Sequence, residues 1–400
     1  MRSGEWLTPE RRRMYPLIVL ALTLIVAVTW IATSPGLIDR MGSPIGTDFT
    51  NVYAAGTLAL DGKVGDAYDP PSQHRAEIAI FGQVVPFYGW HYPPMFLTIA
   101  ALLALLPYAW ALFAWMTLTL VPYLAALHVI VPRRETLLIG AAFPAVFVNL
   151  GHGQNGFLTA ALIGGALFLL DRRPLVAGVL IGLLAYKPQF GVLIPLVLVA
   201  TGRWKTIAAA AATLLVECAI ATVLFGFDIW TAFAGSAKFT REVVLEEGQT
   251  GWQKIQSLFS AVRMWGGSVE TAYAAQFVLA LVLAVTVSLL WRSRASFDLK
   301  AAALVVASLL ATPYMLDYDL VAIGIAIAFH VRHGLRDGFA DWEISLLAFA
   351  WVTPLVARSV ALLTHVPLGL FAMLALYAFT LAKATADPAR TSRRERLAGA

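Results

Sequence analysis

Apolar runs separated by small clusters of arginine recur along the whole chain, and a chain built that way folds in a bilayer. The first run, Met14–Thr33, follows the charged start Met1–Arg13. Its length of about 20 residues suits a full membrane span rather than a signal-peptide core. Beyond Arg11-Arg12-Arg13, the clusters are Arg133-Arg134, Arg172-Arg173, Arg203 with Lys205, Arg292 with Arg294 and Lys300, Arg332 with Arg336, and a tail of Arg390, Arg393, Arg394 and Arg396. Placing all of them on the cytoplasmic side, with Arg2 and Lys383, puts 20 of the 29 basic residues there, as the positive-inside rule requires. The other nine, including Lys187, Arg241, Arg263 and Arg358, fall in outer segments or near outer helix ends.

Only 13% of residues are charged, against about a quarter in soluble domains, so a water-soluble fold is excluded. The lone cysteine, Cys218, excludes an intramolecular disulfide and a cysteine-based zinc site. No Lys/Arg cluster is interleaved with exposed aromatics, so nucleic acid is a poor partner.

The expected fold is an all-α polytopic membrane protein with about twelve crossings and both termini inside. The spans are placed at 15–33, 108–131, 136–150, 156–170, 174–186, 190–202, 205–226, 272–291, 300–312, 318–331, 343–358 and 366–384. Residues 1–14 form a cytoplasmic start, 15–384 one transmembrane domain, and 385–400 a basic cytoplasmic tail. Outer loops occupy 34–92 and 227–271. The short segments between 136 and 202 read as tilted, longer than drawn, or broken where they line a cavity. Pro93-Pro94 followed by Met95–Leu106 is too short to cross and reads as an outer-leaflet or re-entrant helix, its prolines in the first turn.

With this orientation the unusual polar residues collect at one end. The first loop holds Asp48 and the run Phe87-Tyr88-Gly89-Trp90-His91-Tyr92. Further on come His152-Gly153-Gln154-Asn155, then Tyr186-Lys187-Pro188, then the loop with Arg241 and Arg263, then Asp317-Tyr318-Asp319. Polar groups at membrane depth are costly and mark substrate paths. Fixed cations and amide donors suit an anionic ligand such as a phosphate, and aromatic planes suit an apolar chain or a sugar face. Plainer readings stand beside these. Asp48 has the position of a helix N-cap, Lys187 can snorkel, Arg241 and Arg263 can be solvated loop charges, and His91 and Tyr92 can belong to an aromatic belt. Asp317 and Asp319 invite a divalent-metal reading or pair with cations. Glu217, inside an apolar span, is expected to face a partner helix or an inner cavity. His330 and His333 carry no functional signal.

Several motifs carry a resemblance. Gly46-Thr47-Asp48-Phe49 with Tyr53 and Ala54-Ala55-Gly56, Asp61-Gly62-Lys63, Ala67-Tyr68-Asp69 and Tyr92-Pro93-Pro94 is similar to the opening of glycosyltransferase family 87. Gly153-Gln154-Asn155 resembles the family's Gly-Gln-x-Asn region with the asparagine one place early. Ala177-Gly178 through Lys187-Pro188 resembles its glycine-containing helix ending in Lys-Pro, and Ala311-Thr312-Pro313-Tyr314 with Asp317-Tyr318-Asp319 its late Pro-Tyr and Tyr-Asp block. The resemblance implies a GT-C architecture with an extracytoplasmic active site in the inner membrane. It also implies a polyprenyl-phosphate-sugar donor with mannose as the default sugar, a glycolipid or glycan acceptor, and Asp48 as catalytic base. Lys187, Arg241, Arg263, His152 and Gln154 become candidates for the donor phosphate, and Asn155, His91, Tyr92, Asp317 and Asp319 for the acceptor or sugar. No cofactor or metal is called for. The rival classes are a lipid-linked substrate flippase and another GT-C enzyme with a different lipid-phosphate donor.

Overall fold

Thr8 caps the first helix by accepting a hydrogen bond from the Arg11 N–H, and Pro9 takes the first helical position, where a missing N–H costs nothing. The helix it starts, α1 (Pro9–Ala32), opens an all-helical chain. The computed structural model describes residues 1–398, with side chains to Ala386, and these contain no β-strand. The basic groups of the expected 385–400 tail lie outside the described side chains.

The first polar loop is itself ordered into α2 (Phe49–Leu60) and α3 (Pro70–Phe81). Next come α4 (Pro94–Ala104), α5 (Tyr108–Ile130), α6 (Arg134–Ala141), α7 (Pro144–His152), α8 (Gly156–Leu169), α9 (Pro174–Leu183) and α10 (Leu193–Ala200). The chain continues through α11 (Trp204–Phe225), α12 (Asp228–Thr240), α13 (Leu258–Met264), α14 (Val269–Arg292) and α15 (Phe297–Leu310). It ends with α16 (Ile323–Asp337), α17 (Glu343–Thr364) and α18 (Leu368–Ala398).

The protein is a multi-pass membrane protein, but the expected twelve crossings are not reached by length. Among the described residues, six helices are long and apolar enough to cross: α1, α5, α11, α14, α17 and the Leu368–Ala386 part of α18. A seventh crossing is counted if α6 and α7, bent by 52° at their junction, form one broken span. That break falls at Phe143-Pro144, where proline disfavours helical backbone in the residue before it. The expected spans at 156–170, 174–186, 190–202, 300–312 and 318–331 are shorter helices and 3-10 turns. The short α8 and α15 are surrounded by protein: nine of the 14 residues of α8 and twelve of the 14 of α15 are buried. A helix packed among helices need not match the bilayer thickness that sets the length of a lipid-facing one. The short helix expected after Pro93 is found as α4, with Pro94 in its first turn.

Exposed Leu, Ile and Val on α1 and α11 form the lipid-facing periphery. On the protein side, α9 meets α11 through Gly178 and Gly182. A Cβ on Gly178 would lie 2.5 Å from the Thr206 carbonyl oxygen, and one on Gly182 2.5 Å from Thr213 Cβ. This is the small-xxx-small contact by which membrane helices approach closely.

His330 contributes to a buried cluster that its sequence context did not reveal. Its Nδ1 is 3.1 Å from Glu343 Oε1 and its Nε2 2.8 Å from Thr380 Oγ1, while Lys383 Nζ donates to Glu343 at 2.6 and 2.8 Å. Lys383, counted above as an orientation marker, is thus a buried ion-pair partner. Glu217 has one carboxyl oxygen buried without a hydrogen-bond partner.

Candidate active site

The polar end of the bundle is built where helices stop. α7 ends at Gly153, whose φ of +61° is the left-handed conformation that glycine adopts without strain. That reversal is pinned from three sides. Trp115 Nε1 donates to the Gly153 carbonyl (3.2 Å), Asn149 Nδ2 to the Gln154 carbonyl (2.9 Å), and the Gly156 N–H to Asn149 Oδ1 (2.9 Å). The turn therefore holds the Gln154 side chain in place. Tyr92 O–H and the Asn155 N–H both donate to Gln154 Oε1, which orients the amide so that Nε2 donates to Asp48 Oδ2 at 3.0 Å.

Asp48 occupies the N-cap position of α2, yet its side chain makes no capping hydrogen bond. The carboxylate turns toward Gln154 and is about a quarter exposed. Its second oxygen, Oδ1, faces His152 Nδ1 at 3.8 Å, beyond hydrogen-bond distance.

His152 has a defined tautomer. Arg358 Nη2 lies 2.8 Å from Nε2, and a guanidinium can only donate, so Nε2 accepts. The imidazole proton then sits on Nδ1 and donates to Thr47 Oγ1 at 2.8 Å. Arg358 Nε also donates to Asp317 Oδ2 at 2.5 Å, and the Asp317 side chain is 4% exposed. A second buried pair lies alongside: Lys187 Nζ donates to Asp319 Oδ1 at 2.7 Å, with Lys187 packed over the Tyr318 ring at 5.0 Å. The same Tyr318 ring stands 6.1 Å from His152, so one aromatic side chain separates the two ion pairs. Burial pushes the Tyr92 phenol above its ordinary range, and the carboxylates of Asp48 and Asp319 push in the same direction, which marks both as neighbours of one hydroxyl.

The remaining candidates are placed as follows. Asn155 is buried, and neither atom of its side-chain amide has a hydrogen-bond partner. His91 Nδ1 pairs with Thr240 Oγ1 at 2.7 Å. Arg241 is engaged by Glu246 at 3.1 Å. Arg263 donates to the carbonyls of Gly267 and Glu246 and covers the Trp252 ring. Both arginines are thus held within the second long loop, whereas Asp48, His152, Gln154, Asn155, Tyr92, Lys187, Asp317 and Asp319 come together.

The family model of glycosyltransferase family 87 matches residues 90–313, more than half of the chain. The chain belongs to glycosyltransferase family 87. This family 87 protein is a glycosyltransferase, and a sugar donor and an acceptor are its substrates. No match was found among curated proteins or among solved structures. The matched region of the family 87 protein includes Tyr92, His152, Gln154, Asn155 and Lys187, while Asp48, Asp317, Asp319 and Arg358 join them from outside it.

Arg358, Thr47 and Tyr318 were not singled out from the sequence as site residues. For Arg358 the signal was present: it is a lone cation in the apolar run of α17, four residues after Pro354. The cost that drew attention to Lys187 applies equally to it.

Proposed function

We propose that this family 87 glycosyltransferase moves a hexosyl residue, by default mannosyl, from a polyprenyl-phosphate-sugar donor to a lipid or glycan acceptor. The reaction is a single inverting displacement on the extracytoplasmic face of the inner membrane, within a GT-C-type fold. The acceptor hydroxyl oxygen bonds to the anomeric carbon as the bond from that carbon to the phosphate oxygen breaks. Asp48 takes the hydroxyl proton, and the polyprenyl phosphate leaves with the electron pair. A phosphate leaves without protonation, so one carboxylate suffices.

The observation that carries the reading is the state of Asp48. One oxygen is held by Gln154 and the other has no hydrogen bond, in a partly open position. A base needs that combination of fixed geometry and a free lone pair. Lys187 spends one of its three N–H donors on Asp319, which leaves two for the donor phosphate. Arg358 engages its partners through Nε and Nη2, which leaves Nη1 free for the same phosphate. Asp48, Asp317 and Asp319 face only two fixed cations, Lys187 and Arg358, so the carboxylates here outnumber the cations by one. A phosphate therefore has to draw these cations partly away from Asp319 and Asp317.

The test is transfer by the purified protein in membranes from radiolabelled polyprenyl-phosphate mannose, glucose and arabinose. Asp48→Asn should lower the rate about 10²–10⁴-fold, the usual contribution of a general base, with donor binding retained. Undiminished turnover by that variant removes the base assignment. Transfer from none of the donors, together with saturable lipid transport, favours a flippase. Labelling of cysteines placed at 48, 154 and 317 from outside intact cells checks the orientation, and protection of all three contradicts it.

A further inference from the structure

At the end of the bundle opposite Asp48, one indole ring holds two cations side by side. Arg203, the residue before α11, has its guanidinium carbon 5.8 Å from the centre of the Trp291 ring. Trp291, near the end of α14, donates through Nε1 to the Lys300 carbonyl at 3.0 Å, close to the start of α15. The Lys300 ammonium donates to the Ser293 carbonyl at 2.6 Å and feels the charges of both Arg203 and Asp171. The three charged groups are therefore neighbours. α8 and α15, of 14 residues each, run between this end and the polar end, and each is about 21 Å long at 1.5 Å per residue.

One carboxylate serves both cations. Asp171 accepts from Arg203 Nη1 at 2.6 Å and is 59% exposed. Among the described residues no carboxylate pairs with Lys300, nor with Arg172, which follows Asp171 and stands over the Phe168 ring at 5.0 Å. Arg203 keeps Nη2 free, and Lys300 keeps two of its three N–H donors. Like charges held close together repel, and an anion between them removes that cost.

The surroundings identify what carries the anion. α11 and α14 are both crossing helices, so their ends at Trp204 and Arg292 lie at a membrane surface. Trp204 is 63% exposed, as a side chain at the headgroup level is. The ends of α10 and α14 that lead to the two cations expose Leu196, Val199 and Leu289. A phospholipid supplies a phosphate for the cations and acyl chains for that apolar surface, whereas a free anion supplies only the first. A zwitterionic headgroup brings its own cation to a place already rich in them.

We propose that Arg203 and Lys300 bind the headgroup phosphate of an anionic phospholipid in the leaflet opposite the active site, with Arg172 at its edge. The bound lipid ties together the ends of α8, α11, α14 and α15. This site is independent of the role of Asp48.

The experiment is native mass spectrometry of the full chain in detergent, titrated with dioleoylphosphatidylglycerol or dioleoylphosphatidylcholine. Phosphatidylglycerol should bind more tightly. Arg203→Gln and Lys300→Gln should each weaken it about fivefold, the equivalent of ~1 kcal/mol per charge. Lys205→Gln removes an exposed cation from the same end and should leave the binding unchanged. Lys300→Gln keeps the Arg203–Asp171 pair, so it reads the site even where Arg203→Gln fails to fold. Equal binding of the two lipids, or parent-like binding in Lys300→Gln, overturns the site. An equal loss in Lys205→Gln overturns it in favour of diffuse surface charge. Complete displacement of phosphatidylglycerol by an equal concentration of inorganic phosphate overturns it in favour of a soluble anion.

Discussion

Replacing Arg358 with Met tests the link between the ion pairs and the proposed base. The substitution keeps a long unbranched side chain and removes the donors to Asp317 (2.5 Å) and His152 (2.8 Å). Asp317 is left as a buried carboxylate with its cation gone. Breaking a buried pair costs about 3–5 kcal/mol, but Arg358 is 36% exposed, so solvent screening reduces this to roughly 2–3 kcal/mol. Adding Asp317→Asn should restore most of that loss, because removing both partners leaves no buried charge. Thermal unfolding in detergent reads both effects. His152 responds separately. Arg358 holds Nε2 as an acceptor and so keeps the ring proton on Nδ1, which donates to Thr47. Without the guanidinium the ring loses the contact that fixes its orientation 3.8 Å from Asp48. The transfer rate of Arg358→Met should therefore fall, and Asp317→Asn should not rescue it. Full recovery of transfer in the double variant would refute the coupling through His152, whatever the stability data show.

Three further outcomes are expected. Lys187→Met strands Asp319, whose side chain is 1% exposed, and should cost about 3–5 kcal/mol in unfolding experiments, largely recovered by adding Asp319→Asn. Burial raises the Glu77 carboxyl to about 8, so its folded-state value exceeds the unfolded one, about 4.3; stability is full below about pH 4.3 and declines as the pH rises to 8. Glu77→Gln should flatten that decline between pH 5 and 8.5, and parallel melting curves for the two proteins would count against it. Gly153→Ala places a Cβ 2.6 Å from Phe49 Cβ at a φ of +61°. A left-handed alanine alone costs about 1–2 kcal/mol, and the shifted turn should lower transfer by displacing Gln154 from Asp48.

The membrane class was legible because a run such as Met14–Thr33 has one physical outcome wherever it occurs. Hydropathy alone does not fix the crossing count, because it cannot tell a lipid-facing helix from one enclosed by protein. The segment at 300–312 is as apolar as a span, yet α15 is buried on nearly every side. In the candidate site, Asp48, Gln154 and Lys187 could be named from their cost at membrane depth, but not their partners. Asp317 and Asp319 stand two residues apart and bind different cations, Arg358 from α17 and Lys187 from the turn after α9. That division depends on how the turn after α9, which carries Lys187, and the helix α17, which carries Arg358, approach the segment 317–322, over separations no local pattern encodes. Arg241 and Arg263 looked equivalent to Arg358 by charge, and only tertiary contacts distinguish them. The Lys383–Glu343–His330 cluster was hidden for the same reason, since Lys383 reads as one more positive marker at a helix end.

The acidic pair follows the enclosed helix α15 after the short stretch 311–316. Hydrophobic mismatch acts on lipid-facing helices, which tilt or thin the bilayer to match it. The most hydrophobic stretches of α1 and α11 are only 6% buried and are free to adjust in this way. α15 meets protein on nearly every side, and Asp317 and Asp319 are each held by a buried ion pair, so their depth is fixed by packing and should stay constant as membrane thickness changes.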